Sequence, residues 1–430
     1  MSDTTPIGKT LYLCYFWLDT PLVQTQVLPY LRELVKGGIE VHLLTFERER
    51  LSEEQVEENR QMLAEQGIIW DYLIYHKRFS VIATLYDIFC GTIYTWKKNR
   101  REKFNILHAR IHFPALMALI ARKLSFQKPK ILFDIRGFIA DEYTDAGSWK
   151  KDGIIYKTVK RLEKTLLRDC DGFVVLTEKA REILFPESKE NCFDKLGRPI
   201  EVIPCCVDLK RFDAVNNNLR NEMGQKLAAE NRRIIIYVGS FGGFYMARET
   251  ADFYGAAKRQ NPNTFALILT QTPKEMIEPL LKEKGFTDKD FFIQKVSPKE
   301  VPAYLNAADI AVSFIKPCYS KLSSSPTKNA EYLASGLPII TNSGIGDVKE
   351  HTGQDKVGYV IDEFNEESYE KALHEIEKLL QEPDLAARCK ESAKNRFDLE
   401  NIGGEGYRRL YARMLKPNDE INKDYLNTEK

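Results

Sequence analysis

The residues best equipped for chemistry lie in one run, Ser323-Ser324-Ser325-Pro326-Thr327-Lys328-Asn329-Ala330-Glu331-Tyr332-Leu333-Ala334-Ser335-Gly336-Leu337-Pro338. Ser325-Pro326 reads as an N-cap serine followed by proline at the first helical position, where a missing N–H does no harm. The free amides around Thr327 and Lys328 then form an anion site, and the Lys328 ammonium adds a full positive charge where a diphosphate can sit. Glu331, three residues on, shares that face and can accept hydrogen bonds from ribose hydroxyls. Phosphate and sugar are matched together. The same pattern also fits an ordinary capped helix whose Lys328 and Glu331 face solvent. On either reading Lys328 is expected to be exposed and to contribute little to stability.

A second group of candidates follows a strand pattern at Phe133-Asp134-Ile135-Arg136-Gly137-Phe138-Ile139-Ala140-Asp141-Glu142. Arg136 suits an anionic acceptor or a departing phosphate, and Asp141 or Glu142 suits the orientation of a hydroxyl. A structural Asp–Arg ion pair with two surface acids accounts for the same residues. Leu107-His108-Ala109-Arg110 is another strand end. A lone histidine is more often a core residue than a reacting one, so Arg110 ranks above His108. Other chemistries find no support. Gly344-Ile345-Gly346 has Lys349 where a dinucleotide fingerprint needs its third glycine, and no G-x-x-x-x-G-K-[ST] occurs. The eight cysteines contain no C-x-x-C and no histidine at ligand spacing, which suggests buried thiols rather than zinc or disulfides.

These segments need a scaffold, and 430 residues favour two or three packed units. With 43% hydrophobic and 29% charged residues the chain reads as globular, and neither disordered nor disulfide-stapled. The longest near-continuous apolar run, Phe113 to Ala121, falls far short of the ~20 residues needed to cross a bilayer. The start MSDTTPIGKT lacks a signal pattern, so a cytoplasmic chain is expected. Short apolar runs alternate with helical patterns, which is βαβ grammar. Strands are expected at 10–16, 40–46, 106–109, 130–134, 172–176 and 201–204, with a helix over 24–36. After a linker or loose surface helix at 210–232, a second series is expected at 234–238, 265–270, 291–294, 310–314, 338–341 and 358–361. The fold class is therefore α/β, with two Rossmann-like doubly wound domains facing across a cleft. Expected boundaries are 1–208, 209–400, and 401–430 as a terminal helix packing back on the first domain with a loose tail. Net charge is +1, yet residues 97–136 hold eleven Lys or Arg against Glu102 and Asp134. That band reads either as solvated helix faces or as a footprint for an anionic acceptor or membrane surface. No nucleic-acid-binding pattern accompanies it.

The P-T-K-x-x-E-Y-L-A-x-G-x-P run, with Tyr237-Val238-Gly239-Ser240-Phe241-Gly242-Gly243-Phe244-Tyr245 and Val202-Ile203-Pro204-Cys205-Cys206-Val207-Asp208, resembles the family-four, GT-B, retaining glycosyltransferases (glycosyl transferases group 1), from Leu11 to about Met414. The resemblance is to the subset carrying S-P-T-K and D-x-R-G-x-x-x-D-E. It implies a metal-independent, hexosyltransferase-like enzyme of polysaccharide biosynthesis, with no cofactor and a nucleotide-diphosphate sugar as co-substrate. The sugar would pass to a hydroxyl of a saccharide or lipid-linked acceptor, from a chain that is cytoplasmic or peripheral on the inner face of the membrane. It assigns the donor to Gly239, Ser240, Gly242, Ser323, Ser325, Thr327, Lys328 and Glu331. Catalysis falls to Lys328, Arg136, Asp141 and Glu142, and the acceptor side to Arg110 and the Leu18–Gln24 loop with Gln24. Two departures matter. Ser323 stands where many relatives carry a sugar-facing glutamate, and the base nearest the Gly239–Tyr245 loop is Arg248. Alternatives of the same architecture are a nucleotide-sugar epimerase and a catalytically silent sugar-nucleotide-binding protein.

Overall fold

The computed structural model describes residues 6–76, 80–213 and 217–416. The chain divides into two compact units, Met1–Pro204 with Leu399–Lys430, and Cys205–Asp398. The first carries β1 (Gly8–Cys14), β2 (Ile39–Glu47), β3 (Ile68–Ile74), β4 (Ile106–Arg110), β5 (Lys130–Asp134), β6 (Gly172–Val175) and β7 (Ile200–Val202). All pairings are parallel, in the order β3-β2-β1-β4-β5-β6-β7. The order reverses between β1 and β4, and a doubly wound sheet collects ligands at the carboxyl ends of its strands at that point. In register there, Cys14 pairs with Arg110 and Arg110 with Asp134.

The second unit carries β8 (Arg233–Val238), β9 (Thr264–Leu269), β10 (Phe291–Gln294), β11 (Ile310–Ser313), β12 (Ile339–Asn342) and β13 (Gly358–Ile361). They are also parallel, in the order β10-β9-β8-β11-β12-β13, with the reversal between β8 and β11. Side chains alternate between the two faces of a strand. Ile234 and Ile236 therefore enter one core with Phe265, Ala311 and Leu333. Ile235 and Tyr237 enter the other with Phe253, Ile310 and Phe314. Burial on both faces explains why these strands read as continuous apolar runs.

Three local expectations need correction. The helix expected over 24–36 is two, Pro21–Gln26 and Leu28–Lys36, with Val27 between them at φ −127° and ψ −65°. Pro29 has no N–H to offer the Thr25 carbonyl, so the ladder breaks there. β3 was not expected, because Asp71 interrupts its apolar run and it is a half-buried edge strand with β2 as its neighbour. Of the two readings of 210–232, linker or loose surface helix, the described residues show a helix, but one that is packed rather than loose. It holds a turn at Leu209–Phe212 and a helix at Asn217–Leu227, and Phe212, Met223 and Leu227 enter the core. The loose tail expected beyond Lys416 lies outside the described residues.

The basic band is also less uniform than its sequence. Arg110 and Arg136 are buried against Asp134, Lys98 pairs with Asp71 at 2.9 Å, and Arg122 pairs with Asp171. Lys97, Arg100, Arg101, Lys103, Lys123 and Lys128 remain exposed. Among the described residues no helix is long and apolar enough to cross a membrane.

Candidate functional site

In the second unit the donor-type residues gather where the strand order reverses. The loop Gly239–Tyr245 leaves β8, and the helix Thr327–Ala334 follows β11, its neighbour in the sheet. Ala330, Tyr332 and Leu333 plug that helix into the core, and the Tyr332 hydroxyl accepts the Val238 amide at 2.7 Å, anchoring it to the end of β8. Lys328, one turn before Tyr332 on the same helix, lies beneath the loop. Gly239 has φ +138°, a backbone conformation that favours glycine, and a Cβ there would stand 2.8 Å from Lys328 Nζ and push the amine aside. Reciprocal backbone bonds between Gly242 and Tyr245 close the loop and bring Tyr245 over the amine. Nζ sits 4.2 Å from the Tyr237 ring centroid and 4.5 Å from that of Tyr245.

Lys328 is only 9% exposed, and its Nζ has no hydrogen-bond partner among the described residues. This overturns the expectation of an exposed lysine. Burial pushes the amine down to about 7, with the Glu331 field opposing it. Burial also raises the Glu331 carboxyl, against the pull of Arg211 and Lys328. Arg211, on the turn Leu209–Phe212, approaches Glu331 to 3.8 Å. An unpaired buried amine is costly in an empty site, and an entering anion removes that cost.

The helix start is shifted from the sequence expectation. It begins at Thr327, and Pro326 occupies the cap position without a side-chain bond. Ser325 does not cap, because its hydroxyl accepts the Cys205 amide at 3.1 Å. Ser323 is buried, and its hydroxyl donates to the Ser320 carbonyl at 2.7 Å. Ser240 is exposed, with its carbonyl taken by the Tyr237 hydroxyl. Arg248 lies on the helix Ala247–Gln260, 61% exposed and 3.6 Å from Glu283, so it pairs along the surface.

In the first unit a buried polar cluster sits where its own strand order reverses. Asp134 is fully buried, with Arg136 at 3.5 Å, Arg110 at 3.6 Å and His108 at 3.7 Å, while the Tyr407 hydroxyl donates to it at 3.0 Å. Burial alone would raise this carboxyl, but Arg136, His108 and Arg110 hold it well below the usual range. Burial lowers His108. Arg110 also donates to the Gln26 carbonyl at 3.2 Å. Tyr407 and Tyr411 come from the helix Glu405–Leu415, and Tyr411 bonds Thr10 at 3.0 Å and His108 at 2.9 Å.

The remaining first-unit candidates are tied down locally. Asp141 accepts from Tyr156 at 3.0 Å and Lys160 at 3.1 Å, which makes it one end of a local ion pair. Glu142 is half-buried against Gly137. Gln24 is exposed and donates to the Leu18 carbonyl at 2.8 Å, closing its own loop. Sequence reasoning missed Tyr407, Tyr411 and Arg211. None stands in a motif, and only the long-range packing reveals them. Glu40, His42 and Glu102 bring possible metal-ligand atoms within 4.8 Å of one another, but the Lys9 ammonium already sits 2.8 Å from Glu40.

Two Rossmann-like units with parallel sheets of this order define a GT-B fold. Solved structures share it at low sequence identity. A glycosyltransferase from Rickettsia africae is 15% identical, with a TM-score of 0.68 over 95% of this chain and 99% of that one. Anabaena Alr3699/HepE in complex with UDP and glucose is 12% identical, with a TM-score of 0.65 over 94% and 100%. An E. coli trehalose-6-phosphate protein bound to UDP-2-fluoro glucose is 13% identical, with a TM-score of 0.68 over 95% and 99%. Residues 23–211 match the family described as Glycosyltransferase Family 4, and residues 220–396 that described as Glycosyl transferases group 1. No curated protein matches the chain in sequence. One family match on each half, together with the fold, supports a GT-B group 1 glycosyltransferase and glycosyl transfer from a nucleotide sugar.

Proposed function

We propose that the chain is a retaining, metal-independent hexosyltransferase whose second unit holds a nucleotide-diphosphate sugar and whose first unit presents a saccharide or lipid-linked acceptor. The observation that carries this reading is the buried Lys328 amine, without a hydrogen-bond partner among the described residues, at the start of a helix beside a glycine loop. The Thr327 and Lys328 amides and the Lys328 side chain receive the diphosphate, doing with protein groups what a metal does elsewhere. Glu331 receives the ribose hydroxyls. Similar structures hold UDP or a UDP-sugar analogue, which favours the same ligand class here. In the proposed reaction the acceptor oxygen attacks from the face the leaving group vacates, and the departing phosphate takes its proton. Lys328 stabilises the charge that develops on that phosphate. Arg136, Asp141 and Glu142 serve the acceptor side with Arg110 and Gln24.

A calorimetric panel of UDP, GDP, dTDP and ADP tests the reading. One of them is expected to bind, and Lys328→Ala to weaken it about tenfold to a hundredfold, as loss of a charge-assisted bond of about 1.5–3 kcal/mol requires. Unchanged affinity removes Lys328 from the site. A nucleotide-sugar-binding protein without turnover is the second reading. It is favoured by Ser323, whose hydroxyl is committed to the Ser320 carbonyl. Slow hydrolysis of the bound donor in the absence of acceptor excludes it.

We extend the proposal to a membrane surface. On the helix Ser80–Glu102, Ile82, Leu85, Tyr86 and Phe89 are exposed at i, i+3, i+4 and i+7, and Lys97, Arg100 and Arg101 are exposed further along. An apolar stripe continued by bases suits the interface of an anionic leaflet.

A further inference from the structure

We propose that filling the second-unit site is a protonation event: the empty site holds Lys328 as a neutral amine, and an entering nucleotide-diphosphate sugar draws one proton from solvent onto Nζ. This rests on the reading of Lys328 as the partner of the diphosphate. In the step itself one N–H bond forms, the proton comes from solvent or buffer, and the new ammonium donates to diphosphate oxygens while no bond to phosphorus changes.

The surroundings of Nζ favour the neutral form. An ammonium brings three donors that need acceptors, and no acceptor reaches Nζ among the described residues. From its own helix the facing charge is Glu331, whose carboxylate lies 3.8 Å from Arg211 on the turn Leu209–Phe212, a guanidinium that takes part of its field. From β8 and the loop after it come the rings of Tyr237 and Tyr245. The Tyr237 hydroxyl donates to the Ser240 carbonyl, and burial raises that phenol, so it supplies no negative charge. Lys321, on the turn Tyr319–Ser323, lies 3.9 Å from the Phe244 ring and adds no anion. The lowering of Lys328 to about 7 by burial agrees with this geometry. A diphosphate against Nζ supplies both the missing acceptors and the missing counter-charge, and each favours the protonated form.

The consequence is a donor affinity that falls as pH rises above about 7, approaching tenfold per unit, because the unoccupied site must first be protonated. Calorimetry with UDP-, GDP-, dTDP- and ADP-glucose, in buffers of different ionisation enthalpy, counts the protons directly. These sugar nucleotides are suitable probes because their diphosphate diester does not titrate near neutrality. Uptake of about 0.9 proton per bound sugar nucleotide is expected at pH 8 and about 0.1 at pH 6, with none in Lys328→Met. Binding with no proton uptake at pH 8 overturns the proposal and leaves the functional reading intact. If none of the four binds, the functional reading fails instead, and a ligand-free measurement still decides the proton. With lysines labelled with carbon-13 at Cε, the resonance lost in Lys328→Met should titrate near 7. A midpoint above about 10, the ordinary lysine range, overturns the proposal.

Discussion

Replacing Asp134 by asparagine preserves the shape of the first-unit cluster and removes its negative charge. Arg110 and Arg136, with side chains 4% and 7% exposed, then face each other without the carboxylate they share. Breaking a buried ion pair from one side costs about 3–5 kcal/mol, because the surviving charge stays desolvated. Tyr407→Phe is the graded control. It deletes one hydroxyl donated to the same carboxylate, for about 1.5–3 kcal/mol. Two units need not unfold together, but all four tryptophans, Trp17, Trp70, Trp96 and Trp149, lie in the first. Their fluorescence in urea therefore follows that unit. With a slope of about 3 kcal/mol per M, Asp134→Asn should lower the midpoint by about 1–1.7 M, and Tyr407→Phe by less. The pH dependence gives a second reading. A carboxyl held below its unfolded value contributes stability above about pH 4 and loses it as pH falls through the native value. The parent should therefore weaken below pH 4 more steeply than Asp134→Asn. If Asp134→Asn lost under about 1 kcal/mol, or no more than Tyr407→Phe, the carboxylate could not be the counter-charge that holds the two guanidiniums.

Glu331→Gln is expected to reduce affinity for the full nucleotide more than for pyrophosphate, since its assigned partner is ribose; equal losses in calorimetry refute that assignment. Turnover should survive EDTA, because Lys328 and the helix amides carry the diphosphate charge, and rescue of a chelated, inactive enzyme by magnesium or manganese would overturn that role. Reversal of Lys97, Arg100 and Arg101 to glutamate, or Ile82, Leu85 and Phe89 to serine, should lower binding to phosphatidylserine vesicles with donor affinity unchanged. The charge-reversal effect should shrink as salt shortens the Debye length below about 8 Å. A parent protein that ignores such vesicles at low salt leaves only a solvated helix face.

The order of the strands was largely legible because parallel strands buried on both faces form unbroken apolar runs, as β8 and β9 do. β3 escaped because an edge strand needs apolar residues on fewer positions, and Asp71 stands in its middle. The anion-type residues were legible too, since Lys328, Glu331 and Gly239 belong to contiguous motifs. Their environment was not. Whether a lysine is exposed depends on what the chain lays over it. Here Tyr237 and Tyr245 reach Lys328 from about ninety residues earlier. The Ser325-Pro326 pair shows the same limit, because a serine that fits a cap by local rules was drawn to the Cys205 amide instead.

The same physical logic operates separately in the two units. At the order reversal of each parallel sheet the chain places more basic groups than acidic ones. In the first unit two guanidiniums stand around one carboxylate. In the second a single amine stands with a glutamate whose field Arg211 shares. A stability argument alone does not account for either, since apolar residues of similar volume would pack as well or better in both places. In the second unit an arriving anion supplies the hydrogen-bond acceptors that Nζ lacks among the described residues and favours its protonated form. Stability forgone at Lys328 is thus returned on binding, and Lys328→Met, which removes the amine, should make the empty protein no less stable while weakening its hold on a sugar nucleotide.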